Sequence, residues 1–334
     1  MEDKIYPRDL MEDHSDNPKV SVVMPTFNRA DYLGEAVRMI LDQTWRDLEL
    51  IIVDDQSTDH TKEVAEAFMG RDKRVLYYKP EEKGGITLVL NKGIELSRGR
   101  YIQICHDHDI YRPMMIEKMA DVLDRNPSIL FVNPGRQSCD HEGKPLPARK
   151  PIRNVFSIFS KSYRGMNPYL PDFPELTKGD VWLKMMLRHL PSAVSGLSMI
   201  RRSALEKFGL FDPEYGACSD VDMWMRLSAV GDVGFKREVL FLSRGREPGH
   251  PYGGVINWEI QDEVIRAHRK HLREFYAGWQ YVYWKFRRET EIDFSLLTAY
   301  FNCFRWRQWD TLKKGRTYLR KEGVFFSRLA GWFL

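Results

Sequence analysis

The chain has 334 residues, 43% hydrophobic and 29% charged, with a formal net charge of +4. That length and mixture suit a sizeable buried core and exclude a mostly disordered chain. No uninterrupted apolar run approaches the ~20 residues of a membrane-spanning helix, and the polar, acidic first twenty residues do not read as a secretory signal. Cys105, Cys139, Cys218 and Cys303 are widely spaced and form no CxxC pair. A disulfide framework or a structural zinc site is therefore not expected, and a reducing compartment is the simple reading. The charge is uneven: residues 264–334 hold 15 Lys and Arg against 6 Asp and Glu, a balance of +9, which leaves −5 on the rest of the chain. Residues 275–334 also hold 18 of the 42 aromatics. A basic, aromatic tail on a mildly acidic body predicts two parts with different jobs.

In chain order, Val20 to Met24 is a β-branched run ended by Pro25 and predicts a buried strand. Asp31 to Leu41 has helical spacing, with Asn28 or Asp31 as N-cap. Leu48 to Val53 predicts a second strand, cut by the polar turn Asp54 to Asp59. Thr61 to Met69 predicts a second helix and Val75 to Tyr78 a third strand. Gly84-Gly85 opens a helix running to about Leu96, with Gly99 at its end. Tyr101 to Cys105 predicts a fourth strand that runs into His106-Asp107-His108-Asp109. This alternation is that of an α/β fold with a mostly parallel sheet, and the continuous apolar runs fit strands covered on both faces. In such sheets ligands sit beyond the carboxyl ends of the strands. Three polar clusters fall there: Thr26 to Asn28, Asp54-Asp55, and Asp107 to Asp109.

The second half is less regular. Residues 133–180 give no clear periodicity. Leu197 to Arg201 predicts a strand, Ser203 to Phe208 a short helix, Asp220 to Val230 a helix and Val239 to Leu242 a strand. Ser243 to Gly254 reads as a loop, and most of the chain from Trp258 onward as helix. No internal repeat is evident.

Val20-Ser-Val-Val-Met-Pro-Thr-Phe-Asn-Arg29, followed by Gln43-Thr44 and Ile52-Val-Asp-Asp-Gln-Ser-Thr-Asp59, resembles the family 2 glycosyltransferases of GT-A fold. Asn91-Lys-Gly-Ile94 and Gly99-Arg-Tyr-Ile102 extend the resemblance, which covers about residues 18–245. It implies a Rossmann-like GT-A sheet flanked by helices, with a helical C-terminal extension. It also implies transfer of a sugar from a nucleoside-diphosphate-sugar, a UDP-sugar being favoured, to an acceptor hydroxyl with inversion.

What the resemblance implies can be laid onto residues. Pro25, Thr26, Asn28, Asp54 and Asp55 map to the nucleoside grip, where a carboxylate accepts from a base N–H or ribose hydroxyl. The same string is also an ordinary helix-capping turn, and Asp59 is read as only that. Asp107 is shared between the nucleotide and a divalent metal, Mn2+ or Mg2+, with Asp107, His108, Asp109 and His250 as ligands. Two registers stay open, Asp107-x-Asp109 or a metal position at His108, and an imidazole ligand tilts the site from Mg2+ toward Mn2+. His106 is read as a supporting or packing residue. An Arg common in relatives before Asn-x-Gly is Leu90 here, with Lys83 or Lys92 as substitutes. The family's Glu-Asp pair is Ser219-Asp220 here, so Asp220 is the expected general base. Asp222 is held in reserve, and Trp224 packs its helix or walls the acceptor pocket. Arg244 and Arg246 are offered to phosphate, and the glycine-rich loop around them to lid motion.

Three divisions follow: a flexible segment 1–17, a catalytic domain 18–245, and residues 246–334 as an active-site loop followed by the basic aromatic helical region. Packing on the body or homodimerisation is the first reading of that last region. Peripheral attachment to the inner face of an anionic membrane is the second, in keeping with a cytoplasmic enzyme and a saccharide or lipid-linked acceptor. Nucleic acid is not an expected partner, because no recognised module accompanies the basic tail. Cell-surface polysaccharide or glycolipid assembly is the expected setting. The alternative is a catalytically impaired GT-A-like module that binds a nucleotide-sugar.

Overall fold

The computed structural model describes residues 18–146, 175–188, 197–245, 258–277 and 313–314. Its elements in chain order are β1 (Val20–Thr26), α1 (Ala30–Leu41), β2 (Leu48–Asp54), α2 (Thr61–Met69), β3 (Val75–Tyr78), α3 (Gly85–Leu96), β4 (Tyr101–Ile104), β5 (Ile110–Tyr111) and α4 (Met115–Arg125). Then follow β6 (Ile129–Cys139), β7 (Leu176–Thr177), α5 (Gly179–Arg188), β8 (Met199–Arg201), α6 (Arg202–Phe208), a 3-10 helix (Pro213–Cys218), α7 (Ser219–Ser228), β9 (Asp232–Arg244) and α8 (Trp258–Phe275).

One mixed sheet runs in the order β3-β2-β1-β4-β8-β6-β9-β5, with β7 on β9. β1 pairs in parallel with β2 and β4, and β2 with β3. Every residue of β1 and β2 is buried, as continuous apolar runs covered on both faces require. α1 covers one face with Leu33, Val37 and Ile40, while α3 covers the other with Val89 and Leu90. Each such fully buried aliphatic side chain contributes about 1.5–3 kcal/mol. The Asn-x-Gly string has a packing reason: a methyl on Gly93 would overlap Val23 Cγ1, so glycine lets α3 sit close on β1.

The expected capping of α1 takes another form. Asn28 adopts a left-handed φ of 50° and bonds the loop after β2 instead. Asp59 accepts from Ala30 N at 3.1 Å and from Thr61 N at 3.0 Å, so one carboxylate caps two helices. The Gln43-Thr44 pair also has a structural job: the Gln43 side chain donates to Arg112 O and accepts from Ile116 N, fixing α1 to the start of α4.

α8, which the sequence places in the C-terminal part, adds Ala267 and Leu272 to the core formed by α5, α7 and β9. Among the described residues no helix is long and apolar enough to cross a membrane. Cys105, Cys139 and Cys218 are buried free thiols. The expectations for residues 1–17, for Arg246 and His250, and for nearly all of the aromatic tail beyond 277 lie outside the described residues.

Candidate active site

The parallel register sets the ends of β1, β2 and β4 side by side, and their polar loops meet. Asp55 N donates to Thr26 O, and Thr26 Oγ1 donates to Asp107 Oδ2 at 2.7 Å. Within the nucleoside group, side chains are first engaged with one another. Asp54 is fully buried; Ser57 N donates to Oδ1 at 2.8 Å and Tyr77 OH to Oδ2 at 2.7 Å. This corrects its expected role as a nucleoside ligand, because no face of the carboxylate is open. Pro25 is likewise buried inside β1. Asp55 accepts from Gly84 N at 2.7 Å and from Gly85 N at 3.2 Å, which anchors the start of α3. Asn28 accepts from Thr58 N at 2.8 Å. Phe27, Asn28 and Lys83 are exposed at this edge, and the Lys83 ammonium lies 3.5 Å above the Phe27 ring. Lys92 instead pairs with Glu95 and Leu90 is buried, so neither supplies the missing cation.

The loop after β4 sorts its four polar residues by role. Both Asp107 oxygens are taken, one by Thr26 and one by His108 Nδ1 at 2.9 Å. An Nδ1–H donated to Asp107 leaves His108 Nε2 with a bare lone pair, the arrangement by which carboxylates orient ligating histidines. Asp107 thus supports His108, while each of its oxygens keeps a further lone pair. His106, His108 and Asp109 place ligand atoms within 4.8 Å of one another. Three ligands bonded at about 2.1 Å to one ion lie about 3.0–3.6 Å apart, so the cluster closes by more than about 1 Å to share an ion. Two imidazoles and a carboxylate suit Mn2+ better than Mg2+. His106 was missed as a ligand candidate from the sequence; its only signal was its place two residues before His108.

Charges in this loop are coupled. Burial disfavours the Asp109 carboxylate, yet the His106 hydrogen bond, His108 and the Arg244 N–H hold its pKa below the ordinary value. Burial also disfavours the His106 imidazolium, but Asp109, then Asp107 and Asp220, raise its pKa. Arg244 is not free for phosphate as expected. Its N donates to Asp109 Oδ1, its Nε to His108 O at 2.7 Å, and its guanidinium to His141 O and Glu35. It braces the loop from the β9 side.

Asp220 opens α7, one residue in from Ser219. Burial pushes its carboxyl up to about 6, offset in part by the Val221 N–H and by His106. The helix dipole, expected to keep it ionised, is outweighed by desolvation. Asp220 and His106 are near enough for each charge to favour the other. Ser219 Oγ lies 3.0 Å from the Thr87 hydroxyl oxygen. Asp222 does not join the site as the reserve base, and of the two readings of Trp224 the structure has the packing one. Asp222 is fully buried between Arg226 Nε at 2.7 Å and His271 Nε2 at 2.8 Å. Despite burial, those partners hold it down to about 2. Trp224 is fully buried, stacked on Phe131 at 4.7 Å with Phe211 edge-on.

The description "Glycosyl transferase family 2" matches residues 21–209. An uncharacterised glycosyltransferase of Rickettsia typhi is 31% identical over 236 residues, 70% of this chain. The chain spans 66% of that relative's length, just under two thirds. The S. aureus TarS structure with UDP-GlcNAc aligns over 90% of this chain and 81% of its own, at TM-score 0.62 and 16% identity. The mannosyltransferase PcManGT from Pyrobaculum calidifontis, solved with GDP-Man and Mn2+, aligns over 97% and 89%, at TM-score 0.54 and 16% identity. These likenesses match the mixed sheet described above, and with more than half of the chain matched, the protein belongs to glycosyl transferase family 2.

Proposed function

We propose that this chain transfers a sugar from a nucleoside-diphosphate-sugar to an acceptor hydroxyl with inversion, with Asp220 as general base. The observation that carries the reading is Asp220 itself, a carboxyl raised to about 6 and coupled to a histidine of the candidate metal cluster. Such a group is ionised at neutral pH and more basic than an ordinary carboxylate. It takes the acceptor proton as that oxygen bonds to the anomeric carbon, while the bond from that carbon to the diphosphate breaks. Direct displacement gives inversion.

His106, His108 and Asp109, with Asp107 orienting His108, would hold a divalent ion, Mn2+ in preference to Mg2+. When bound, that ion supplies charge neutralisation for the departing diphosphate. Thr26, Phe27, Asp55 and Lys83 form the edge offered to the nucleoside. The UDP-GlcNAc and GDP-Man held by structures of the same fold support a nucleotide-sugar donor, and a UDP-sugar stays favoured. The acceptor in this reading is a saccharide or lipid-linked saccharide of cell-surface polysaccharide or glycolipid assembly. The catalytic unit is residues 18–245 with α8 packed on it, and the chain beyond serves the acceptor, a membrane surface or a second copy.

A panel of UDP-GlcNAc, UDP-glucose, UDP-galactose and GDP-mannose with Mn2+ or Mg2+ tests this. One nucleotide-sugar should raise the melting temperature and be slowly hydrolysed, and Asp220→Asn should keep the shift while losing turnover. Full turnover by Asp220→Asn excludes it as base. A second reading, a nucleotide-sugar binding module without turnover, draws on Leu90 and Ser219 standing where relatives carry Arg and Glu. A shift without hydrolysis by the unaltered protein, across acceptors, would favour it.

A further inference from the structure

The twelve residues from Phe211 to Asp222 carry Asp220 and are gripped from two sides. On one side, Asn91 of α3 makes two hydrogen bonds to the Phe211 backbone, and Thr87 donates to Gly216 O. On the other side lies α8. Its Lys270 ammonium stands 3.9 Å from Asp212 and 5.1 Å from the centre of the Tyr215 ring. Its Arg266 is 3.7 Å from Glu214. Gly216 takes a φ of 44°, which side chains rarely adopt, and a methyl there would press on the carboxylate of Glu263 of α8. The α8 contact at Asp222 is removed from water: His271 and Asp222 are both fully buried, Nε2 stands 2.8 Å from Oδ1, and the Lys270 ammonium approaches the same oxygen at 3.5 Å. Asp222 lies in the first turn of α7, two residues from Asp220.

We propose that His271 is a positioning residue, which fixes the first turn of α7 through Asp222 and so aims the Asp220 carboxylate at the acceptor oxygen. The inference rests on the reading of Asp220 as general base. Its physical ground is that a general base works only within hydrogen-bond reach of the proton it takes, so a shift of about 1 Å is costly. Surface ion pairs such as Arg266–Glu214 are weak and mobile. A buried, charge-assisted bond has one well-defined geometry. The nucleoside and metal groups, by contrast, hang from β1, β2, β4 and β9 and make no contact with His271 among the described residues. α7, which carries Asp220, and α8 both lie beyond the matched residues 21–209.

The test compares His271→Leu with His271→Gln, whose side-chain amide N–H can reproduce the Nε2 donor, and with Asp220→Asn. Hydrolysis of UDP-GlcNAc and of GDP-mannose with Mn2+ is followed, with far-UV circular dichroism reporting the folded fraction. His271→Leu should lower kcat by at least about tenfold with KM for the donor within about twofold, and His271→Gln should recover most of kcat. If His271→Leu is too unstable to purify, His271→Asn, whose amide is too short to reach Asp222, takes its place: a kcat loss of at least about tenfold that His271→Gln recovers supports the proposal, and equal kcat in the two folded variants overturns it. Unchanged kcat in folded His271→Leu, or loss of kcat and rise of KM together, also overturns it. Should Asp220→Asn keep full turnover, or the unaltered protein hydrolyse neither donor, the base reading falls and this inference with it. An inactive Asp220→Asn beside a fully active His271→Leu defeats the positioning role alone.

Discussion

Thr26 and Asp107, 81 residues apart in the chain, are joined by a hydroxyl-to-carboxylate hydrogen bond of 2.7 Å at the carboxyl ends of β1 and β4. The other Asp107 oxygen meets His108 Nδ1, so a chain of bonds runs from the first strand to the imidazole of the candidate metal cluster. Arg244 braces the same loop from β9. The loop is thus held from two strands before any ligand arrives, which is the preorganisation that charge-stabilising sites require.

Replacing Thr26 by Val removes the donor while keeping the shape. Asp107 is only 5% exposed, so its unpaired oxygen should cost about 1–3 kcal/mol of stability in urea unfolding. The loosened Asp107 should also let His108 turn, weakening Mn2+ about 10–100-fold by isothermal titration. Thr26→Ser keeps the hydroxyl and should keep both properties. Equal Mn2+ affinity in Thr26→Val would show that Asp107 does not orient His108.

Asp220 should display a trade of stability for basicity. Its folded pKa is raised to about 6, above the ordinary carboxylate value. Below about pH 4 the carboxyl is protonated folded or unfolded, and it contributes nothing. Between about 4 and 6 the folded state keeps a proton that the unfolded state has lost, so stability falls as pH rises. Above about 6 the destabilisation is complete, at most about 3 kcal/mol. Asp220→Asn should therefore melt higher at pH 7.5 and no higher at pH 4. The turnover of the unaltered protein should rise through a midpoint near pH 6, which a pH–rate profile checks.

Much of this was legible in the sequence where local pattern carries the information. β1, β2, β3 and β4 with the helices between them follow from apolar runs and turn signals. α4 was not expected, although Met115, Ile116, Met119, Ala120 and Leu123 form its buried face at helical spacing. β6 is hidden by Pro134-Gly135, where its register against β9 slips. β9 is longer than the Val239–Leu242 run because its charged stretch from Lys236 to Glu238 breaks the apolar pattern while staying in the strand. In the site, the polar cluster itself was legible, but the division of labour within it was not. That Asp107 meets Thr26 and His108, while His106 stands with His108 and Asp109, depends on β1 lying beside β4, and that is a tertiary fact. Asp222 likewise is indistinguishable from Asp220 until α8 brings His271 to it from 49 residues away.

Asp222 should behave in the opposite sense to Asp220. Its folded pKa is held at about 2, despite burial, by His271 and Arg226. Its stabilisation is complete above the unfolded value of about 4 and is lost as pH falls toward 2. Asp222→Ala leaves the Arg226 and His271 partners facing a buried gap, and should cost about 3–5 kcal/mol at pH 7 in urea unfolding. The difference from the unaltered protein should shrink on titration to pH 3. A constant difference across that range would show that the Asp222 charge is not what stabilises the interface.

Two glycines of the family-like strings should fail for different reasons when given a methyl group. At Gly93 the new methyl overlaps Val23 Cγ1 and stands 3.2 Å from Val53 Cγ2, both side-chain atoms. Gly93→Ala should cost about 1–3 kcal/mol as an overpacked core. Val23→Ala opens the same space, so the double variant should recover part of that cost, a coupling that a double-mutant cycle reads directly. At Gly99 the methyl would lie 2.5 Å from Ser21 N and 2.8 Å from Val20 C, which are backbone atoms. Gly99 N also donates to Ser21 Oγ at 2.7 Å, and Ser21 in turn donates to Glu49, so a shift here disturbs a buried polar cluster as well as β1. No truncation of a neighbour relieves a backbone clash. Gly99→Ala should therefore destabilise more than Gly93→Ala, and Ser21→Ala should deepen the loss, because it removes an acceptor without moving the backbone. Recovery of Gly99→Ala by Ser21→Ala would show instead that the side chain, and not the strand, limits the approach.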